Sequence, residues 1–181
     1  MDVERNDEVS LQLQDARRRS RALTRDLDGT QLLGPKLAIV NPVLWELGHV
    51  AWFQERWCLR LRSDESLSES LLAGADALYD SSAVAHDTRW DLALPSLGAT
   101  LDYQDRVLEG VLARVRHEPD NEWLMYFVRL PLFHEDMHAE AFHYTRQTLG
   151  YAEPLVPERR SDAEAGRIPR DAELPGGSCV P

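Results

Sequence analysis

The stretch from Asp120 to Gly150 constrains the fold more than any other part of the chain. Leu124, Val128, His134, His138, Phe142 and Leu149 recur at near-helical spacing and form one inward stripe. Asp120 suits an N-cap, and Gly150 suits the left-handed residue that ends a helix. Pro131 removes one backbone hydrogen bond inside the run, which predicts a kink just before His134. A long helix with a single apolar stripe needs other helices to cover it.

Three further helices are predicted, and no segment reads as a strand. One runs from about Asp7 to Asp28, with Leu13, Ala16, Ser20, Leu23 and Leu27 inward and Arg17-Arg18-Arg19 on a solvated flank. The next opens at Asn41-Pro42, with Asn41 as N-cap, and continues to about Leu61. The third opens at Pro95 and reaches about His117, with Leu97, Leu101, Leu108, Leu112 and Val115 as its apolar face. Residues 62–94 form a long connection in which Leu67 to Leu78 reads as a short helix. Five of the ten prolines fall after Gly150, which marks 151–181 as a linker or tail. The expected architecture is all-α: an antiparallel four-helix bundle over residues 1–150, with a long connection between the second and third long helices and an irregular tail.

With 43% hydrophobic residues, a chain of this length can bury a real core. A formal net charge of −11 argues against a nucleic-acid partner, which requires a basic footprint. No apolar run is long enough to span a membrane. The polar, acidic start, Met1 to Asp7, does not resemble a secretory signal, so the expected location is the cytoplasm. Cys58 sits among apolar and aromatic residues and is expected to be buried. Cys179 lies in the tail, and the two form no disulfide framework.

His134 and His138 are four residues apart, so they share a helical face and can share one metal ion. His49 lies on the aromatic second helix between Trp45 and Phe53, beside Gly48, whose missing side chain permits close approach. Opposite the last helix it is the natural third ligand. Three imidazoles leave open positions on a metal and suit iron(II), zinc(II) or another divalent first-row ion. Glu46, Glu135 and Asp136 are candidates to orient the ring N–H groups. His134 to His138 also fits the H-E-x-x-H pattern of zinc proteases, but Ala141 and Tyr144 stand where the extended motif needs glycine and histidine. His117 is expected at a helix C-terminal end, His143 outward, and His86 as a reserve ligand in the connection.

Asn41-Pro42-Val43-Leu44-Trp45-Glu46-Leu47-Gly48-His49-Val50-Ala51-Trp52-Phe53 resembles the first metal motif of ergothioneine synthases, the iron-dependent hercynine sulfoxide synthases. His134-Glu135-Asp136-Met137-His138-Ala139-Glu140 resembles their second. Tyr79-Asp80-Ser81-Ser82 through Arg89-Trp90 looks closer to the selenoneine-synthase branch, which joins a selenosugar to hercynine. The resemblance covers about residues 7–155, a DinB-like bundle. It implies an iron(II) centre on His49, His134 and His138 that uses O₂ to form a C–S or C–Se bond on hercynine. It places Arg89 where the chalcogen donor's carboxylate or sugar binds. The partners implied are hercynine and a thiol or selenosugar donor. Members of that family continue into a domain resembling formylglycine-generating enzymes, which supplies the catalytic tyrosine. Glu173-Leu174-Pro175-Gly176-Gly177 resembles the opening of that domain, so a separate C-terminal domain is a further expected partner.

Two other readings stay open. One is a stand-alone DinB-like three-histidine metalloenzyme, such as a thiol-dependent S-transferase. The other is a non-catalytic helical interaction module with the histidines as polar core.

Overall fold

The computed structural model describes residues 2–154 and is all-helical over that span. Its helices are α1 (Asp2–Thr24), α2 (Gly29–Leu33), α3 (Val43–Glu55), α4 (Ala75–Tyr79), α5 (Leu97–His117) and α6 (Glu122–Leu149). A π-helical turn, Arg56–Arg60, prolongs α3, and a 3₁₀ turn, His86–Thr88, lies in the connection. Among the described residues there is no strand, only an isolated bridge between Leu61 and Leu67. No helix there is long and apolar enough to cross a membrane. Cys179 and the segment from Glu173 to Gly177 lie outside the described residues.

The ends of α6 follow local chemistry. The Asn121 side chain, one residue after the expected cap, accepts from the Leu124 N–H at 2.9 Å. Gly150 closes the helix with φ +66°. Pro131 is buried within a helix that continues through it. At α3 the expectation fails. Pro42 stands at the N-cap with no side-chain bond, because the Asn41 amide is turned inward to the Glu46 carboxylate at 2.7 Å.

The four long helices share one apolar core, with Leu13, Ala16, Trp45, Val107, Val111, Leu124 and Val128 near its centre. Helix α1 packs on α6 and α5, and α3 packs on α5 and α6. Antiparallel neighbours were expected, and two of these pairs depart from that. Arg17 meets Glu135 while Arg146 meets Asp26, so α1 and α6 run the same way. Gln104 reaches the Leu47 carbonyl while Arg114 reaches that of Cys58, so α3 and α5 also run parallel. The long connection from α3 to α5 carries the chain back to start α5 beside the start of α3, a crossover that short loops do not permit.

Three further departures share one cause, polar side chains turned inward. On α5 the buried face is Thr100, Tyr103, Gln104, Val107, Val111, Leu112 and Val115, while Leu97, Leu101 and Leu108 are only half-buried. Arg17, expected on a solvated flank, is 2% exposed and pairs with Glu135. The helix expected over Leu67 to Leu78 shrinks to Ala75–Tyr79. Buried Glu55 takes the Ser70 hydroxyl (2.6 Å) and the Leu71 N–H, and Gly74, at φ +75°, precedes the shorter helix. That helix is fastened to α3 by two indoles: Trp45 donates to the Leu78 carbonyl at 2.7 Å, and Trp52 donates to Asp76 at 2.6 Å.

Candidate metal centre

Helix α3 presents His49 and α6 presents His134 and His138 to one point. The ring centroids are 5.0 Å apart for His49 and His134, 5.1 Å for His49 and His138, and 4.6 Å for the α6 pair. One nitrogen from each ring lies within 4.8 Å of the other two, and no other such group of potential ligands occurs among the described residues. The spacing of the α6 pair follows from helical geometry. The meeting with His49 follows from the antiparallel contact of α3 and α6.

Each ring is held by its surroundings. His49 Nδ1–H donates to the Tyr79 carbonyl at 2.8 Å, which leaves the Nε2 lone pair for a ligand. Its ring is sandwiched between Trp45 (4.7 Å, 11°) and Trp52 (5.8 Å, 22°). The His134 ring stacks on Phe53 at 3.8 Å and 10°. Gly48 makes room for this arrangement, because a Cβ there would overlap the Tyr79 ring. The close approach expected at Gly48 is thus made by a tyrosine of the connection.

Burial, with the neighbouring His138 as the next cause, pushes the His49 pKa down to about 4. Burial likewise pushes His134 to about 2, with His138 and His49 as the lesser causes. Both rings are therefore neutral near pH 7, the form that binds metals. The Nδ1 atoms of His134 and His138 are buried with no hydrogen-bond partner. On His138 that nitrogen faces the Glu46 carboxylate, the kind of outer partner a metal-bound imidazole uses, which leaves its other ring nitrogen for a ligand. On donor type and convergence, the three residues fit a metal ion.

The other expected site residues separate clearly. Glu46 is buried, and its Oε2 lies 3.6 Å from His138 Nδ1, too long for a hydrogen bond but directly beside that ring. Glu135 and Asp136 do not serve the imidazoles. Glu135 lies one residue (about 100°) round the helix from His134 and is paired with Arg17 at 2.8 Å, while Asp136 is exposed and paired with Arg19. Arg89 is half-buried in the connection and donates to Asn41 Oδ1 at 2.7 Å. His86 is not among the rings that converge on the site, and its Nε2–H donates to the Val40 carbonyl at 2.8 Å. His117 Nδ1–H donates to the Ala113 carbonyl at 2.7 Å near the end of α5, and His143 is exposed, both as expected. Cys58 is a buried free thiol whose pKa burial raises.

Two residues at the site escape a sequence reading. Tyr79 contributes a backbone carbonyl from an aperiodic segment, and no side-chain pattern marks it. Asn41, read as a cap, is instead the link between Arg89 and Glu46.

The sequence profile of the DinB superfamily matches residues 12–145. This chain belongs to the DinB superfamily. The match runs from within α1 through most of α6 and contains all three histidines, so this DinB-superfamily domain carries a site able to hold a metal ion. No curated protein matches the chain in a sequence comparison.

Proposed function

We propose that this DinB-superfamily chain carries the iron(II) centre of an ergothioneine- or selenoneine-type synthase, with residues 1–150 as a four-helix metal-binding domain. The observation that carries the reading is the convergence of His49, His134 and His138 within 4.8 Å, in motifs that resemble those of the synthases. Bound iron would supply the O₂ chemistry that joins sulfur or selenium to the imidazole of hercynine. The chain's own residues prepare the place. The Tyr79 carbonyl holds His49 in the tautomer that offers Nε2. Trp45, Trp52 and Phe53 cover ring faces and keep water from them. Three protein ligands leave positions for small molecules. The partners in this reading are hercynine, a thiol or selenosugar donor, and a separate C-terminal domain that completes the pocket, in the cytoplasm.

The test is elemental analysis of the full chain purified anaerobically. About one iron per chain is expected, and His138→Ala is expected to lose it. Equal iron in wild type and variant would sink the reading.

A second reading is a stand-alone three-histidine enzyme of the thiol-dependent S-transferase kind, holding zinc. The profile match supports it as it supports the first, because both readings place three histidines in a DinB bundle. Zinc retained in place of iron, with transfer to a thiol and no response to hercynine, would establish it instead.

A further inference from the structure

Arg89 was expected to meet a donor's carboxylate or sugar, yet its guanidinium is engaged inside the protein. Nη1 donates to Asn41 Oδ1 at 2.7 Å. Asn41 Nδ2 in turn donates to Glu46 Oε1 at 2.7 Å. The other oxygen of Glu46 is buried, has no hydrogen-bond partner and faces His138 Nδ1 at 3.6 Å. The same guanidinium lies 3.9 Å above the Trp45 ring. Trp45 is stacked in turn on His49 at 4.7 Å. Two separate paths therefore lead from one side chain of the connection to two imidazoles on two different helices.

We infer that Arg89 is a positioning residue for the metal centre, acting on His138 through Asn41 and Glu46 and on His49 through Trp45. The inference rests on the metal reading of the three histidines. Metal-bound imidazoles almost always pass their second N–H to a carboxylate, carbonyl or water, and those outer partners set ring orientation and ligand strength. His49 has such a partner in the Tyr79 carbonyl. His138 has only Glu46 beside its orphaned nitrogen, and Glu46 is aimed by Asn41. The planar fork of arginine serves both paths at once, one N–H in the plane for Asn41 and one face for Trp45. Lysine cannot do both. The connection thereby sets how firmly the ion is held before any substrate arrives.

The test uses the full chain loaded with cobalt(II), read by its visible absorption spectrum and by competition with a chelator. Arg89→Ala and Asn41→Ala are each expected to weaken cobalt binding by about 10- to 100-fold and to alter the spectrum, without substrate present. Glu46→Gln is expected to follow Asn41→Ala. The double variant of Glu46 and Asn41 should be little worse than either single one, since both cut one path. Arg89→Lys should recover only part of the affinity. If Arg89→Ala fails to fold by circular dichroism, Asn41→Ala decides, because it leaves the Trp45 stack intact. Wild-type affinity and spectrum in folded Asn41→Ala and Arg89→Ala would overturn the inference while leaving the metal centre standing. No cobalt binding by wild type would overturn the metal reading and this inference with it.

Discussion

His134 and Glu135 are neighbours on α6 and enter two polar clusters of opposite character. Glu135 meets Arg17 in a paired contact, Nε to Oε1 at 2.8 Å and Nη2 to Oε2 at 3.1 Å. Arg17 also donates to the Gln104 carbonyl and to Gln54, at 2.9 and 3.0 Å. Each nitrogen of the Arg17 guanidinium and both oxygens of Glu135 have a partner inside the protein. In the histidine cluster His49 and His138 are buried and His134 is half-buried, and two ring nitrogens have no partner. A closed network leaves nothing for a ligand and serves the fold. An open one leaves ring nitrogens that a cation can use, and a cation that binds only the folded state adds to its stability.

The two clusters should therefore answer mutation in different currencies. The largest effect is expected in the closed one. Glu135→Ala or Arg17→Ala strands a buried charge and should cost about 3–5 kcal/mol, measured by urea unfolding with chelator present. His138→Ala under the same conditions should cost much less. A larger loss for His138→Ala would make the histidines the structural cluster and reverse the assignment.

Metal should act on the open cluster alone. At a free metal concentration of 100 times Kd, wild type should gain about 2.7 kcal/mol. His138→Ala should gain almost nothing, and Glu135→Ala, where still folded, should gain as much as wild type. Matching unfolding curves with and without metal in wild type would contradict the site. Gly48→Ala tests the neighbouring contact. Its new Cβ meets the Tyr79 ring, and the overpacking should cost about 1–3 kcal/mol. Because Tyr79 also orients His49, metal affinity should fall with it, whereas an overpacking change far from the site would lower stability alone.

Acid should also separate the clusters in metal-free protein. His49 is lowered to about 4 and His134 to about 2, below the ordinary histidine value of 6.5. The unfolded chain then takes up protons before the folded one does. Stability is full above pH 6.5 and falls as pH drops toward 4 for His49, and further for His134. Each ring adds at most about 1.4 kcal/mol per pH unit within its window. His49→Phe should make the fall shallower by one proton. An unchanged slope would show that His49 stays solvated and is not held neutral by burial.

Much of the open cluster was legible in the sequence, and little of the closed one. Histidines four apart on an apolar stripe announce their face, and the aromatic repeat around His49 announces another. Helix ends at Asn121 and Gly150 lay within a residue of their expected places, because capping is local chemistry. Arg17 was hidden by its neighbours Arg18 and Arg19, since a run of three arginines reads as solvated whichever one turns inward. Gln104 and Tyr103 masked the true face of α5, because polar side chains on a buried stripe look like its exposed edge. The parallel pairing of α1 with α6 and of α3 with α5 depends on where the connection delivers the chain, and periodicity carries no record of that. Tyr79 was invisible because a carbonyl has no residue type.

Asp136 supplies the smallest effect and the sharpest control. It follows Glu135 directly, but lies on the solvent side of α6 with Arg19, itself also paired with Asp15. An exposed pair of this kind contributes about 0–1 kcal/mol, because water screens it and two mobile side chains must be ordered to form it. Asp136→Ala should therefore change the urea midpoint slightly and leave metal affinity unaltered. Residues 134, 135 and 136 are all ionisable, and helical rotation turns one to the histidine cluster, one to the core and one to water. A loss of metal affinity in Asp136→Ala approaching that of His138→Ala would mean that charge near the site, and not the direction in which each side chain points, governs binding.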